Sequence, residues 1–150
     1  MPNAKTSYFV DSNILVYAVD PAEKSKRPLV SDLLRRMVHD QTLVLSAQSL
    51  NECYRVLTDR RRIMPREDAR EFVAALAPSC TAPFGFDVTR EAWRLQDAVG
   101  YSFWDCMLLG SALLAGCSVF VSEDMQHGRK LDRMTILSPF EPDFANHLSI

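Results

Sequence analysis

Tyr8-Phe9-Val10-Asp11-Ser12-Asn13-Ile14-Leu15-Val16-Tyr17-Ala18-Val19 sets a lone acid between two apolar runs. The first run has the length of a short buried strand. The second, from Asn13 to Val19, reads as one or two helical turns stopped by Asp20-Pro21. A carboxylate flanked by core sequence is costly unless a cation or hydrogen-bond donors compensate it. Asp11 is therefore the hardest acid in this chain to treat as ordinary surface.

The same arrangement recurs near the other end, where Val119-Phe120-Val121 runs directly into Ser122-Glu123-Asp124. Two more apolar triplets read as strands, Leu43-Val44-Leu45 before Ser46 and Thr135-Ile136-Leu137 before Ser138-Pro139. Phe84-Gly85-Phe86 suggests a further one. Between them lie helical patterns. From Lys24 to His39, Leu29, Leu33, Leu34, Met37 and Val38 recur at helical spacing. A helix from Ser49 to Arg60 carries Leu50, Cys53, Tyr54 and Leu57 on one face. Pro65 suits the first turn of a helix that reaches Ala77 and stops at Pro78. Thr89 caps a helix to Val99 that Gly100 ends. Ser102 opens a helix to Ala115, apolar almost all round and so central, which Gly116 terminates.

Short apolar strands alternating with helices predict an α/β fold with a mostly parallel central sheet. Ligands of such sheets bind outside the carboxyl ends of the strands. Asp11 and Asp124 follow their strands immediately, so both are expected on that rim.

Bulk properties are consistent with this reading. The 150 residues suit one domain over 1–150, with 47% hydrophobic and 24% charged residues. Seventeen Lys and Arg against 19 Asp and Glu give a net charge of −2, so any nucleic-acid contact must come from local basic clusters. Those clusters are Lys24-Ser25-Lys26-Arg27, Arg35-Arg36, Arg60-Arg61-Arg62 with Arg66, and Arg129-Lys130 with Arg133. Four cysteines, Cys53, Cys80, Cys106 and Cys117, include no CxxC pair, which argues against a zinc or disulfide framework. No apolar run reaches membrane-spanning length, and the first residues lack a signal-peptide core, so the cytoplasm is the expected compartment.

Four acids, Asp11, Glu52, Asp105 and Asp124, stand where a strand or helix begins or ends. Each has a structural reading. Ser49-x-x-Glu52 matches a capping box, Asp105 suits the first turn after Ser102, and Asp124 could be a turn residue before Gly128. Four such readings holding together is much harder to sustain than a shared site. Mg²⁺ or Mn²⁺ takes hard oxygen ligands, and a few carboxylates holding one or two ions are suited to phosphodiester hydrolysis. Ser12, Asn13 and Ser122 are expected to support the acids from behind. His127 is close in sequence but reads as a solvated loop residue. No Ser-His-Asp or Cys-His arrangement is legible.

Four segments carry a resemblance: Phe9-Val10-Asp11-Ser12-Asn13-Ile14-Leu15-Val16-Tyr17, Ser49-Leu50-Asn51-Glu52-Cys53-Tyr54, Ser102-Phe103-Trp104-Asp105 and Val121-Ser122-Glu123-Asp124-Met125. In this order and chain length the sequence resembles the PIN-domain ribonucleases, and among them the VapC-type toxins of bacterial toxin–antitoxin pairs. The resemblance implies a compact three-layer α/β/α domain with Asp11, Glu52, Asp105 and Asp124 as metal-binding acids. It implies Mg²⁺- or Mn²⁺-dependent endonucleolytic cleavage of RNA, a homodimer, and a cognate antitoxin that blocks the site. Glu123 departs from the pattern by adding a carboxylate beside Asp124, and the match favours Asp124. Arg60, Arg61, Arg62 and Arg129 are the candidate RNA contacts.

Other readings predict different residues. A receiver-like Mg²⁺-binding signalling domain needs an acidic pair after the first strand and a late Lys, and this chain offers neither. A catalytically silent module of the same fold predicts loss of an acid, whereas all four positions are filled. A DNA-directed flap nuclease needs an insertion for threading DNA that this length does not accommodate.

Overall fold

The computed structural model describes residues 6–148. Five strands form one sheet in the order β2-β1-β3-β5-β4, comprising β1 (Tyr8–Val10), β2 (Leu43–Val44), β3 (Val119–Val121), β4 (Lys130–Leu131) and β5 (Met134–Leu137). The pairs β1/β2, β1/β3 and β3/β5 are parallel, and only β4/β5 is antiparallel. The register sets Val10 opposite Val121 and Val121 opposite Leu137, so β1, β3 and β5 end level with one another. Asp11 and Ser122 consequently leave the sheet side by side.

The helices are α1 (Ser12–Tyr17), α2 (Lys26–His39), α3 (Ala47–Arg55), α4 (Arg66–Leu76), α5 (Phe86–Val99) and α6 (Phe103–Leu114). Alternation along the strands divides them between two faces. Tyr8, Val10, Val119 and Val121 pack with residues of α1 to α4, such as Ile14, Leu34, Leu50 and Leu76. Phe9, Phe120 and Ile136 pack on the other face with Val88, Leu95, Leu108 and Leu109 of α5 and α6. The result is a three-layer α/β/α sandwich. Phe9 and Phe120 stack at 5.2 Å across the central pair, and truncating either would cost about 3–5 kcal/mol. α5 and α6 approach closely because Gly110 has no side chain; a Cβ there would stand 3.3 Å from Glu91 Cβ. Among the described residues no helix is long and apolar enough to cross a membrane.

Several local expectations need correction. Phe84-Gly85-Phe86 is not a strand: Gly85 is the N-cap of α5, which starts at Phe86 rather than after Thr89. The exposed rings of Phe84 and Phe86 have no layer to bury into, so apolar character alone misleads there. Pro65 is the cap residue of α4 rather than part of its first turn. α3 begins at Ala47, two residues earlier than expected, because Ser46 and Ser49 form the capping box between themselves. Glu52 is therefore not the capping carboxylate. The helix expected to reach Arg60 is α-helical only to Arg55. Val56–Arg60 then form a wide π-type turn, in which Arg61 N–H donates to Val56 O at 3.0 Å, five residues back. The β4/β5 hairpin was not foreseen, since Lys130-Leu131 is too short to show alternation. It turns at Asp132, whose φ is 54°.

Candidate metal centre

Hydrogen bonds link Asp124, Asp11 and Glu52 and reach Trp104, the residue before Asp105. Asp11 caps α1, accepting from Ser12 N–H at 2.7 Å. Its other oxygen accepts from Ser122 Oγ at 2.9 Å, across the parallel β1/β3 ends. Ser122 Oγ in turn accepts from Asp124 N–H at 3.3 Å. On the opposite side Ser12 Oγ donates to Glu52 Oε2 at 3.3 Å. Gln48, one turn before Glu52 on α3, donates its Nε2 to Glu52 Oε1 and to Trp104 O, both at 3.0 Å. Trp104 immediately precedes Asp105, whose own N–H donates to the Ser102 cap at 3.2 Å. Chain positions from 11 to 124 thus converge on one end of the sheet.

Asp11 is the electrostatic centre of this arrangement. It is 6% exposed, and among the described residues no Lys, Arg or His is paired with it. Burial pushes its carboxyl up to about 7, and the charges of Glu52 and Asp105 push the same way. The donors Ser122 and Ser12 oppose the rise without cancelling it. Nearby polar atoms are also unsatisfied: both ends of the Asn13 carboxamide, Gln48 Oε1 and Glu123 Oε2 are buried without hydrogen-bond partners. Asn13 therefore makes no bond to Asp11, unlike Ser12 and Ser122.

The acids share a neighbourhood without composing a finished cage. Among the described residues no three His, Cys, Asp or Glu side chains are grouped closely enough to hold a metal ion as they stand. Asp124 is exposed and is tied in through its backbone. The donor set nonetheless suits a hard divalent cation, because it offers carboxylate oxygens around an acid that burial leaves uncompensated.

Glu123 is held differently. Its Oε1 lies 2.8 Å from Lys26 Nζ, and that ammonium stands 4.7 Å from the Tyr17 ring centre and 4.8 Å from that of Phe140. A lysine matched to Glu123 leaves Asp124 as the acid of the pair without a partner cation among the described residues. His127 pins the following loop, with Nδ1 accepting from Ser138 N–H at 2.9 Å and Nε2 lying 2.8 Å from Asp143.

The candidate RNA contacts separate on inspection. Arg61 stands 2.9 Å from buried Asp20, an ion pair whose angle falls outside hydrogen-bond geometry. Arg60 and Arg62 are exposed, and the Arg129 guanidinium lies 5.0 Å from the Tyr101 ring centre. Gln48 is the site residue that sequence reading missed. Its one available signal was i, i+4 spacing from Glu52 on a helix.

A search of curated proteins finds no match to the chain. Among solved structures, VapBC2 from Rickettsia felis, bound to a DNA fragment from their promoter, superposes with a TM-score of 0.65 at 14% identity, over 89% of this chain and 98% of that one. VapC20 of Mycobacterium tuberculosis, described as a sarcin–ricin loop cleaving toxin, gives 0.55 at 20% identity, over 76% of this chain and 87% of that one. At these identities the likeness is one of fold. The sequence itself carries the closer relation: the PIN domain matches residues 8–133, spanning every strand up to β4 and all four acids, and the chain belongs to that family.

Proposed function

We propose that this protein is a divalent-metal-dependent endoribonuclease, the toxin of a toxin–antitoxin pair. The observation that carries the reading is the hydrogen-bonded network from Asp124 through Asp11 and Glu52 to the residue before Asp105, around a buried carboxylate that no cation among the described residues meets. Asp11, Glu52 and Asp105 would hold Mg²⁺ or Mn²⁺, with Asp124 contributing from the rim. The ion, when bound, polarises a phosphoryl oxygen and lowers the pKa of a coordinated water.

The remaining work falls to this chain's own residues. Ser12 and Ser122 fix the two oxygens of Asp11, so the carboxylate cannot rotate away from the rim. Gln48 fixes Glu52 and ties α3 to the start of α6. Lys26 holds Glu123 aside and limits the negative charge that an incoming phosphate must face. Arg129, beside the loop that follows Asp124, would meet a phosphate of the strand, and Arg60 and Arg62 would add exposed charge.

The VapBC2 neighbour supports a partner protein that neutralises the toxin, and a cation entering beside Asp11 would supply the charge that the described residues do not bring there. A homodimer and a cytoplasmic setting complete the proposal, both resting on kinship. The test is cleavage of RNA by purified protein. EDTA should abolish it, and Mg²⁺ or Mn²⁺ should restore it. Cleavage that resists chelation would overturn the metal mechanism. Co-expression with a short adjacent reading frame should relieve growth arrest if the toxin reading holds.

A further inference from the structure

Trp104 is 61% exposed, more than any other large hydrophobic side chain among the described residues. It stands in the opening turn of α6, whose buried residues begin only at Cys106, so core packing does not explain an indole there. The side chain is nevertheless braced. Phe103 meets it edge-on at 5.1 Å, and its carbonyl is fixed by the same Gln48 amide that holds Glu52. Asp105 is the next residue. Tyr101, three residues earlier, accepts a hydrogen bond from Gln126 N–H at 3.2 Å and carries Arg129 over its ring. One rim therefore presents an exposed indole, a guanidinium and the acids of the proposed metal centre.

Resting on the ribonuclease reading, we infer that Trp104 is a positioning residue: it stacks an unpaired base of the RNA while Arg129 meets a phosphate of the same strand. Aromatic side chains serve single strands because every base offers a face, whereas in an A-form duplex those faces are closed against each other. A protein partner would call for a contiguous apolar patch. The chain neighbours of Trp104 and Phe103 are instead the polar Ser102 and Asp105, and the cation of this rim is Arg129 over Tyr101, an arrangement suited to a flat base whose backbone phosphate meets the guanidinium.

The chain has two tryptophans, and Trp93 lies on α5. In a Trp93→Phe background, indole emission reports Trp104 alone. Titration with a ten-nucleotide oligouridylate in EDTA should quench that emission saturably, and a ten-base-pair RNA duplex should do so far less. Trp104→Ala should weaken binding of the single strand about 10-fold or more, and Trp104→Tyr should retain most of it. With Mg²⁺, KM should rise in Trp104→Ala while kcat changes little. Equal binding by Trp104→Ala, equal quenching by duplex, or an emission change that follows protein concentration without RNA would overturn the stacking role. The last result would mean that a second copy covers the indole. Cleavage by the parent with Trp104→Ala unaltered would sink this inference alone. Trp104-dependent binding without cleavage under any divalent ion would sink the ribonuclease reading alone.

Discussion

Asp11 and Asp20 are nine residues apart and both buried, 6% and 2% exposed, yet the protein treats them in opposite ways. Asp20 accepts the Ala22 N–H at 3.0 Å on one oxygen, and the Arg61 guanidinium stands 2.9 Å from the other as an ion pair. Asp11 receives hydroxyl and amide donors, faces Glu52 and Asp105, and has no cation among the described residues. Burial is equal, so burial does not distinguish a structural acid from a functional one. Compensation does. A buried carboxylate supplied with its own arginine is finished, and one surrounded by further carboxylates needs something from outside.

The largest break of this contrast is Asp11→Asn. It keeps the shape and removes the charge, so RNA cleavage with Mg²⁺ should fall by about 10²–10³-fold or more while circular dichroism stays unchanged. Undiminished turnover would place the chemistry elsewhere. The same variant sharpens the comparison in chelator. The folded Asp11 carboxyl lies at about 7 against 3.8 for an ordinary aspartate, so the native state binds that proton more tightly. Its contribution to stability is complete below 3.8 and is lost as pH rises through about 7. Unfolding free energy of the parent relative to Asp11→Asn should therefore drop by about 2–4 kcal/mol between pH 4 and 8. Parallel denaturation curves would show that the burial is not felt.

Arg61→Ala attacks the other acid. It strands Asp20 and should cost about 1–3 kcal/mol in urea unfolding, a value discounted because Arg61 is 47% exposed. Cleavage per folded molecule should hold. Lost RNA affinity with full stability would return Arg61 to the phosphate contacts. Gln48→Leu is the mildest change. It frees Glu52 from its amide, and about a 5- to 10-fold loss of kcat is expected from kinetics at saturating RNA.

Much of this was legible along the chain because strand ends are local facts. Tyr8-Phe9-Val10 and Val119-Phe120-Val121 are unbroken apolar triplets, and each is followed at once by the acid or serine that matters. Parallel pairing then makes those positions neighbours. Glu52 and Asp105 were legible as acids on helix first turns, although the capping box proved to belong to Ser46 and Ser49. Gln48 was not, because its role depends on Trp104 O, 56 residues away. The partner of Asp20 was equally hidden, since only the path of the chain after α3 brings Arg61 back. The hairpin at Asp132 escaped because it is decided by one backbone angle rather than by composition.

The loosened turn at Val56–Arg60 holds one residue more than a regular helix would use. Removing Thr58 or Asp59 should let the coil wind evenly as an α-helix, with the residues on either side keeping their aim and Glu52 staying in place. A single-residue change of length at this joint is thus taken up within the turn itself, so the arginine run can vary in sequence while the acids keep their geometry.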